Sequence, residues 1–196
     1  MSEHYYTQKP SAAHNEGRIE VSALGLNLVF DTDAGVFAKS GFDYGSRLLI
    51  ESLPELHGNV LDLGCGWGPI GVLLAKKYPD IEVLQSDINE RAVALTKKNI
   101  ALNRALNATA IQSDGYGHIE GAFDFIITNP PIRAGKQVIY SLFDGAKAHL
   151  KDGGALFIVI RKQHGAPSAL KHLQEIYKVV EVIARDKGFW IIKASL

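Results

Sequence analysis

Four glycines fall within residues 64–71 (Gly64, Gly66, Gly68 and Gly71), directly after the apolar run 60–63. A helix-like pattern follows in Ile70, Val72, Leu73, Leu74 and Ala75. This order encodes a buried strand, a tight turn, and a helix whose N-terminus points at the turn. Glycines there let backbone approach a ligand with no Cβ in the way. Ordinary turn chemistry does not call for four of them, so the cluster points to a bound group.

The rest of the chain repeats the strand-then-helix alternation. Strands are expected at 60–63, 81–86, 108–112, 122–128, 155–160, 178–184 and 189–195. Helices are expected at 69–77, 90–103, 137–149 and 167–176, the second capped by Asn89. Such alternation predicts an α/β fold with a mostly parallel seven-stranded sheet and helices on both faces. Only four residues, 185–188, separate the last two strands. A parallel crossover needs a dozen or more, so that pair must be antiparallel. Upstream, 19–23 and 28–30 flank a turn at 24–27 and read as an N-terminal β-hairpin extension. Residues 46–53 read as a helix ending before Pro54. The polar stretch 1–17 is expected to be loosely docked, which leaves 18–196 as a single domain.

Composition bounds the function. The 196 residues suit one α/β domain, and Lys+Arg and Asp+Glu both total 21, so a nucleic-acid binder would need a local basic patch. Cys65 is the one cysteine, which excludes an internal disulfide, and its place in a crowded turn suits a small residue. The seven histidines show no paired ligand spacing, so no metal is expected. No apolar stretch reaches membrane-spanning length, and the polar N-terminus carries no signal-peptide core; a cytoplasmic protein is expected.

Two loops carry the chemistry. Gly66-Trp67-Gly68-Pro69-Ile70-Gly71 matches G-x-G-x-x-G, and Asp87 lies about 20 positions on, after the second strand, where an acid can accept from ribose hydroxyls. Any adenosine cofactor fits this pair, nicotinamide dinucleotides included. A hydride-transfer Tyr-x-x-x-Lys pair is missing, since Asp144 stands four places after Tyr140. The second loop, Asn129-Pro130-Pro131-Ile132, follows the apolar run 123–128. The Asn129 side-chain oxygen and the Pro130 carbonyl offer two acceptors to an amine, and the prolines hold the loop in one shape.

Asp62-Leu63-Gly64-Cys65-Gly66-Trp67-Gly68 resembles the first motif of class I methyltransferases that use S-adenosylmethionine. Asp87 with Asn89 resembles their ribose-binding loop, and Ser113-Asp114-Gly115 the loop that meets the adenine amine. Asn129-Pro130-Pro131-Ile132 resembles the motif of enzymes that methylate planar nitrogen. Gly35-Val36-Phe37, Asp43-Tyr44-Gly45-Ser46-Arg47 and the glycine loop are similar to the small-subunit ribosomal RNA guanine-N2 methyltransferases. Those enzymes often carry a second methyltransferase domain, and the 196 residues here suit one. The resemblance implies a Rossmann-like methyltransferase fold and S-adenosyl-L-methionine as cofactor, bound by Asp62, Gly64, Cys65, Gly66, Gly68, Asp87, Ile88, Asp114, Gly115 and Asn129. It implies catalysis by Asn129, Pro130, Pro131 and Ile132 on a guanine of ribosomal RNA or the small ribosomal subunit. Ile132 stands where many such enzymes place an aromatic, and Phe37, Phe42 and Tyr44 are the candidates to stack in its place. Phe37, Arg133 and Lys136 are the candidate substrate contacts, and the Arg161-Lys162 cluster is a further one. A glutamine amide or an adenine amine would suit Asn-Pro-Pro equally; a module that only binds the cofactor is disfavoured by Asn129 and Asp87.

Overall fold

A computed structural model describes residues 15–33 and 41–196. Strands β1 (Gly17–Ala23) and β2 (Leu26–Thr32) form an antiparallel hairpin. Helix α1 (Tyr44–Glu51) follows, then β3 (Asn59–Leu63), α2 (Pro69–Lys77), β4 (Glu82–Asp87), α3 (Glu90–Leu102), β5 (Ala108–Gln112) and β6 (Phe123–Thr128). Helix α4 (Lys136–His149), β7 (Leu150–Arg161), α5 (Ala166–Ile176), β8 (Val179–Asp186) and β9 (Phe189–Ser195) complete the chain. The seven-stranded sheet has the order β5-β4-β3-β6-β7-β9-β8. Only β9 runs antiparallel, inserted between β7 and β8.

The chain moves outward from β3 through β4 to β5, then returns to place β6 on the other side of β3. A crevice therefore opens at the C-terminal ends of β3 and β6, where open α/β sheets bind ligands. Two apolar layers sandwich the sheet. One, with Leu49, Leu73, Leu74 and Phe157, lies under α1, α2 and α3; the other, with Phe143, Ile126 and Leu173, lies under α4 and α5. The expected strands and helices are all present, with shifted ends. Helix α1 starts two residues before the expected Ser46, because Asp43 accepts from the Ser46 N–H and sets the cap there. Strand β7 begins at Leu150 rather than 155, since Leu150 pairs with Phe123 before a register shift.

The hairpin does more than extend the chain. Its Phe30 is fully buried against Trp67 of the glycine loop, edge to face at 5.1 Å. Asn99 of α3 joins the two: its Nδ2 donates to the carbonyls of Asp31 (2.9 Å) and Trp67 (2.8 Å), and its Oδ1 accepts from Asp31 N–H. A loop rich in glycine is thus braced from outside.

Candidate active site

A cavity of about 330 Å³ opens in the crevice. The end of β3 contributes Leu63, Gly64 and Gly66; the end of β4 contributes Ser86, Asp87 and Ile88; the end of β5 contributes Ser113, Asp114 and Gly115. Asn129, Pro130 and Pro131 close it from β6, and Ala134, Val138 and Leu142 from the segment leading into α4 and from α4 itself. The three polar loops and the Asn-Pro-Pro turn, scattered in sequence from Gly64 to Pro131, share one space because parallel strands deliver their C-terminal ends to one edge.

The four glycines divide into two kinds. Gly64 and Gly66 line the cavity at φ +76° and +60°, and a Cβ on either would meet nothing within 4 Å. Their faces are open to a ligand. Gly68 and Gly71 lie behind the wall. A Cβ at Gly68 would sit 2.7 Å from Thr96 Cγ2, and one at Gly71 only 2.3 Å from Gln85 Cδ. These two exist so that α2 can press onto β4 and α3.

Carboxylates hold the loop. Gly68 caps α2 without a side chain, and buried Asp62 supplies the missing acceptor, taking the Gly71 N–H at 3.0 Å. Burial pushes its pKa up to about 7, opposed by that hydrogen bond and reinforced by the charge of Asp87. Asp87 accepts from Gly66 N–H and Asn89 N–H, each at 2.9 Å, and still borders the cavity. Burial raises it to about 6, although these backbone donors pull the other way. Cys65 touches Thr96 at 3.6 Å, and burial pushes its thiol well above the ordinary range, so it stays protonated and is no nucleophile.

Asn129 is fixed from the other side. Its Nδ2 donates to Ser46 Oγ at 2.9 Å and lies 3.5 Å from each carboxylate oxygen of Asp43. The Pro131 carbonyl accepts from Ala134 N–H at 2.8 Å, which makes the turn that follows. Neither Asp43 nor Ser46 stood among the site residues expected from sequence.

Of the residues expected at the cofactor site, Gly64, Gly66, Asp87, Ile88, Asp114, Gly115 and Asn129 line the cavity, while Asp62, Cys65 and Gly68 support it from behind. Pro130 and Pro131 line it; Ile132 turns away and packs among the apolar residues under α4. Ala134 and Val138 provide the apolar surface instead. Arg133 and Lys136 are exposed outside the cavity, with Lys136 Nζ 4.9 Å from the Tyr140 ring centre. Phe37 lies outside the described residues. Ser86 and Leu142 were missed; small polar or aliphatic residues carry no signal until the strands are assembled.

Residues 27–193 match the methyltransferase small domain model. The chain belongs to that family. It is 46% identical over its whole length to the uncharacterized protein YbxB of Bacillus subtilis, covering 99% of that protein. It is 37% identical to ribosomal RNA small subunit methyltransferase C of Aeromonas hydrophila, over 88% of this chain and 51% of that one. The chain thus spans about half the length of the ribosomal RNA methyltransferases it matches. The fold superposes on a T. thermophilus 16S rRNA N2 methyltransferase solved with AdoMet and guanosine, with a TM-score of 0.83 and 27% identity, over 95% of this chain and 52% of that one. The protein is a class I S-adenosylmethionine-dependent methyltransferase. The donor set fits the cofactor: two glycines without side chains face the cavity, beside a carboxylate with lone pairs to spare. No helix among the described residues is long and apolar enough to cross a membrane.

Proposed function

We propose that this methyltransferase acts on the exocyclic N2 amine of a guanine in small-subunit ribosomal RNA. The observation that carries the reading is the corner at Asn129. Its Oδ1 has no partner among the described residues, and the neighbouring Pro130 carbonyl takes no backbone N–H among them. Two acceptors beside one end of a cofactor-sized cavity suit an amine with two protons to donate.

S-adenosylmethionine supplies a methyl group on a sulfonium whose leaving group is a neutral thioether, so neither metal nor strong base is needed. On this reading Asp87 accepts from the ribose hydroxyls, Asp114 from the adenine amine, and Ile88 supports the adenine face. The backbone at Gly64 and Gly66 borders the remainder. The amine lone pair is delocalised into the guanine ring and is a poor nucleophile. Acceptors at Asn129 and Pro130 hold the amine with its lone pair toward the methyl group. The nitrogen pair forms the new N–C bond, the C–S pair returns to sulfur, and one amine proton is then lost to water. Positioning supplies most of the acceleration. The base must be unpaired or flipped to reach the corner.

An RNA partner is supported by charge placed locally on a neutral chain. Arg133 and Lys136 follow β6. Arg161 ends β7 and Lys162 follows it, and Lys187 sits in the β8–β9 turn, which Lys162 N–H joins through the Gly188 carbonyl at 2.8 Å. Arg161 stacks on Phe189 and Lys187 on Tyr44, at 4.4 and 4.2 Å from the ring centres. These cations share the sheet edge that carries the cavity and can meet phosphates. An enzyme acting on ribosomal subunits works in the cytoplasm.

The test is transfer of tritiated methyl from S-adenosylmethionine into small ribosomal subunits from a strain lacking this protein. Label should appear as N2-methylguanosine. Label in a protein glutamine or an adenine amine, with none in guanine, would overturn the substrate.

A further inference from the structure

An amide side chain has two donors and one acceptor oxygen. In Asn129 both donors are directed at the first turn of α1. Nδ2 reaches Ser46 Oγ at 2.9 Å and approaches both Asp43 oxygens at 3.5 Å. Ser46 is buried, and Asp43 is held in place because it also caps α1, its Oδ1 accepting the Ser46 N–H at 3.1 Å. The cap and first turn of a helix, 86 and 83 residues away in sequence, therefore decide which face of the Asn129 amide is turned to the cavity.

We propose that Asp43 and Ser46 are positioning residues that lock the Asn129 amide with Oδ1 toward the acceptor amine. The proposal rests on the methyl-transfer reading above. With the amide reversed, Nδ2 would face the N–H donors of the incoming amine, and like would meet like. The lock forbids that orientation. The Asp43 carboxylate also polarises the amide through Nδ2, which increases negative charge on Oδ1. That bond strengthens as the amine nitrogen becomes positive, so the polarisation favours the transition state over the ground state.

Three variants separate this role from helix capping. Asp43→Asn keeps an N-cap oxygen for the Ser46 N–H but removes the charge and sets a donor against Nδ2. Ser46→Ala removes the hydroxyl, and Ser46→Thr restores one. Two readouts are taken. The first is the Asn129 side-chain amide signal in ¹⁵N NMR, assigned by its disappearance in Asn129→Ala, with its hydrogen-exchange protection. The second is turnover on small ribosomal subunits beside the dissociation constant of S-adenosylhomocysteine.

The wild-type amide should be protected, and Asp43→Asn and Ser46→Ala should lose that protection. Turnover should fall about 10- to 100-fold, the scale of a displacement of about 1 Å, with the dissociation constant changed less than about twofold. Ser46→Thr should recover most of the turnover, and Asp43→Asn should cost nothing further in an Asn129→Ala background. Unchanged amide protection in Asp43→Asn and Ser46→Ala would overturn the lock. So would weaker S-adenosylhomocysteine binding at unchanged turnover, which would assign Asp43 to the cofactor, or an equal loss in the Asn129→Ala background. The amide measurement needs no substrate, so a wild-type enzyme that labels no RNA would sink the substrate reading and leave the lock tested on its own.

Discussion

The glycine end of the cavity and the Asn129 end are fixed by different means. At the glycine end the constraints are short in sequence: Asp62 holds Gly71 nine positions on, Asp87 holds Gly66 from 21 positions away, and Thr96 donates to the Gly66 carbonyl from 30. At the other end Asn129 is held by Ser46 and Asp43, 83 and 86 positions distant. The first end is built from β3, its turn, β4 and α3, with Phe30 of the hairpin packed behind it. The second exists only once α1 has docked. Cofactor binding and acceptor positioning should therefore respond to different substitutions.

Asn129→Ala tests that division most severely. It should lower turnover about 100-fold or more while leaving affinity for S-adenosylhomocysteine within a few-fold, because the amide is proposed to act in the transition state. Parallel loss of affinity, read by calorimetry, would break the comparison.

Asp87→Ala should do the reverse. Loss of hydrogen bonds to a carboxylate costs about 1.5–3 kcal/mol of cofactor affinity. The same carboxylate predicts a pH dependence. Its pKa is raised to about 6, and on the proposed reading ribose hydroxyls donate to the ionised form, so affinity should be level above pH 6 and weaken as pH falls below it. Calorimetry across that range in wild type and Asp87→Asn checks the sign, since the variant should lose the dependence. The fold itself responds oppositely. Asp62 and Asp87 bind protons more tightly folded than unfolded, so their contribution is fully present at acid pH. It declines as pH rises from the ordinary carboxylate range through about 6 and 7.

Two alanines sharpen the comparison within the glycine loop. Gly71→Ala drives a methyl into Gln85 and should lower stability by about 1–3 kcal/mol, the range for overpacking. Gly64→Ala meets open space, so beyond backbone strain of about 1 kcal/mol its cost should fall on cofactor affinity. Equal melting temperatures for the two would show that the glycines are not of two kinds. A smaller effect, of opposite sign, is expected at Gln85 itself. Its buried amide has no hydrogen-bond partner among the described residues, so Gln85→Met should stabilise the fold by about 1 kcal/mol, visible as a higher melting temperature.

The division also explains what could be read from sequence. Gly64, Gly66, Asp87, Asp114 and Gly115 were legible because each follows a strand in a local pattern, and parallel strands bring such loops together without further instruction. The antiparallel β9 followed from a link too short for a crossover, yet its insertion between β7 and β8 depends on sheet pairing that no local pattern encodes. Asn129 and the prolines were legible; Asp43 and Ser46 as partners of Asn129 were not, because only the docking of α1 creates that contact. Ile132 misled for a related reason. Its position after the second proline suggested a cavity wall, but Pro131 starts a tight turn that rotates Ile132 into the apolar layer and leaves Ala134 and Val138 facing the cavity.

The separation of the two ends is tested most directly by measuring methyl transfer in Asp87→Ala and Asn129→Ala across rising S-adenosylmethionine. Asp87→Ala should climb to within a few-fold of wild-type turnover once its weaker site is saturated, and Asn129→Ala should stay low at every concentration. An Asp87→Ala enzyme that remains inactive at saturation, or an Asn129→Ala enzyme restored by excess cofactor, would contradict the account.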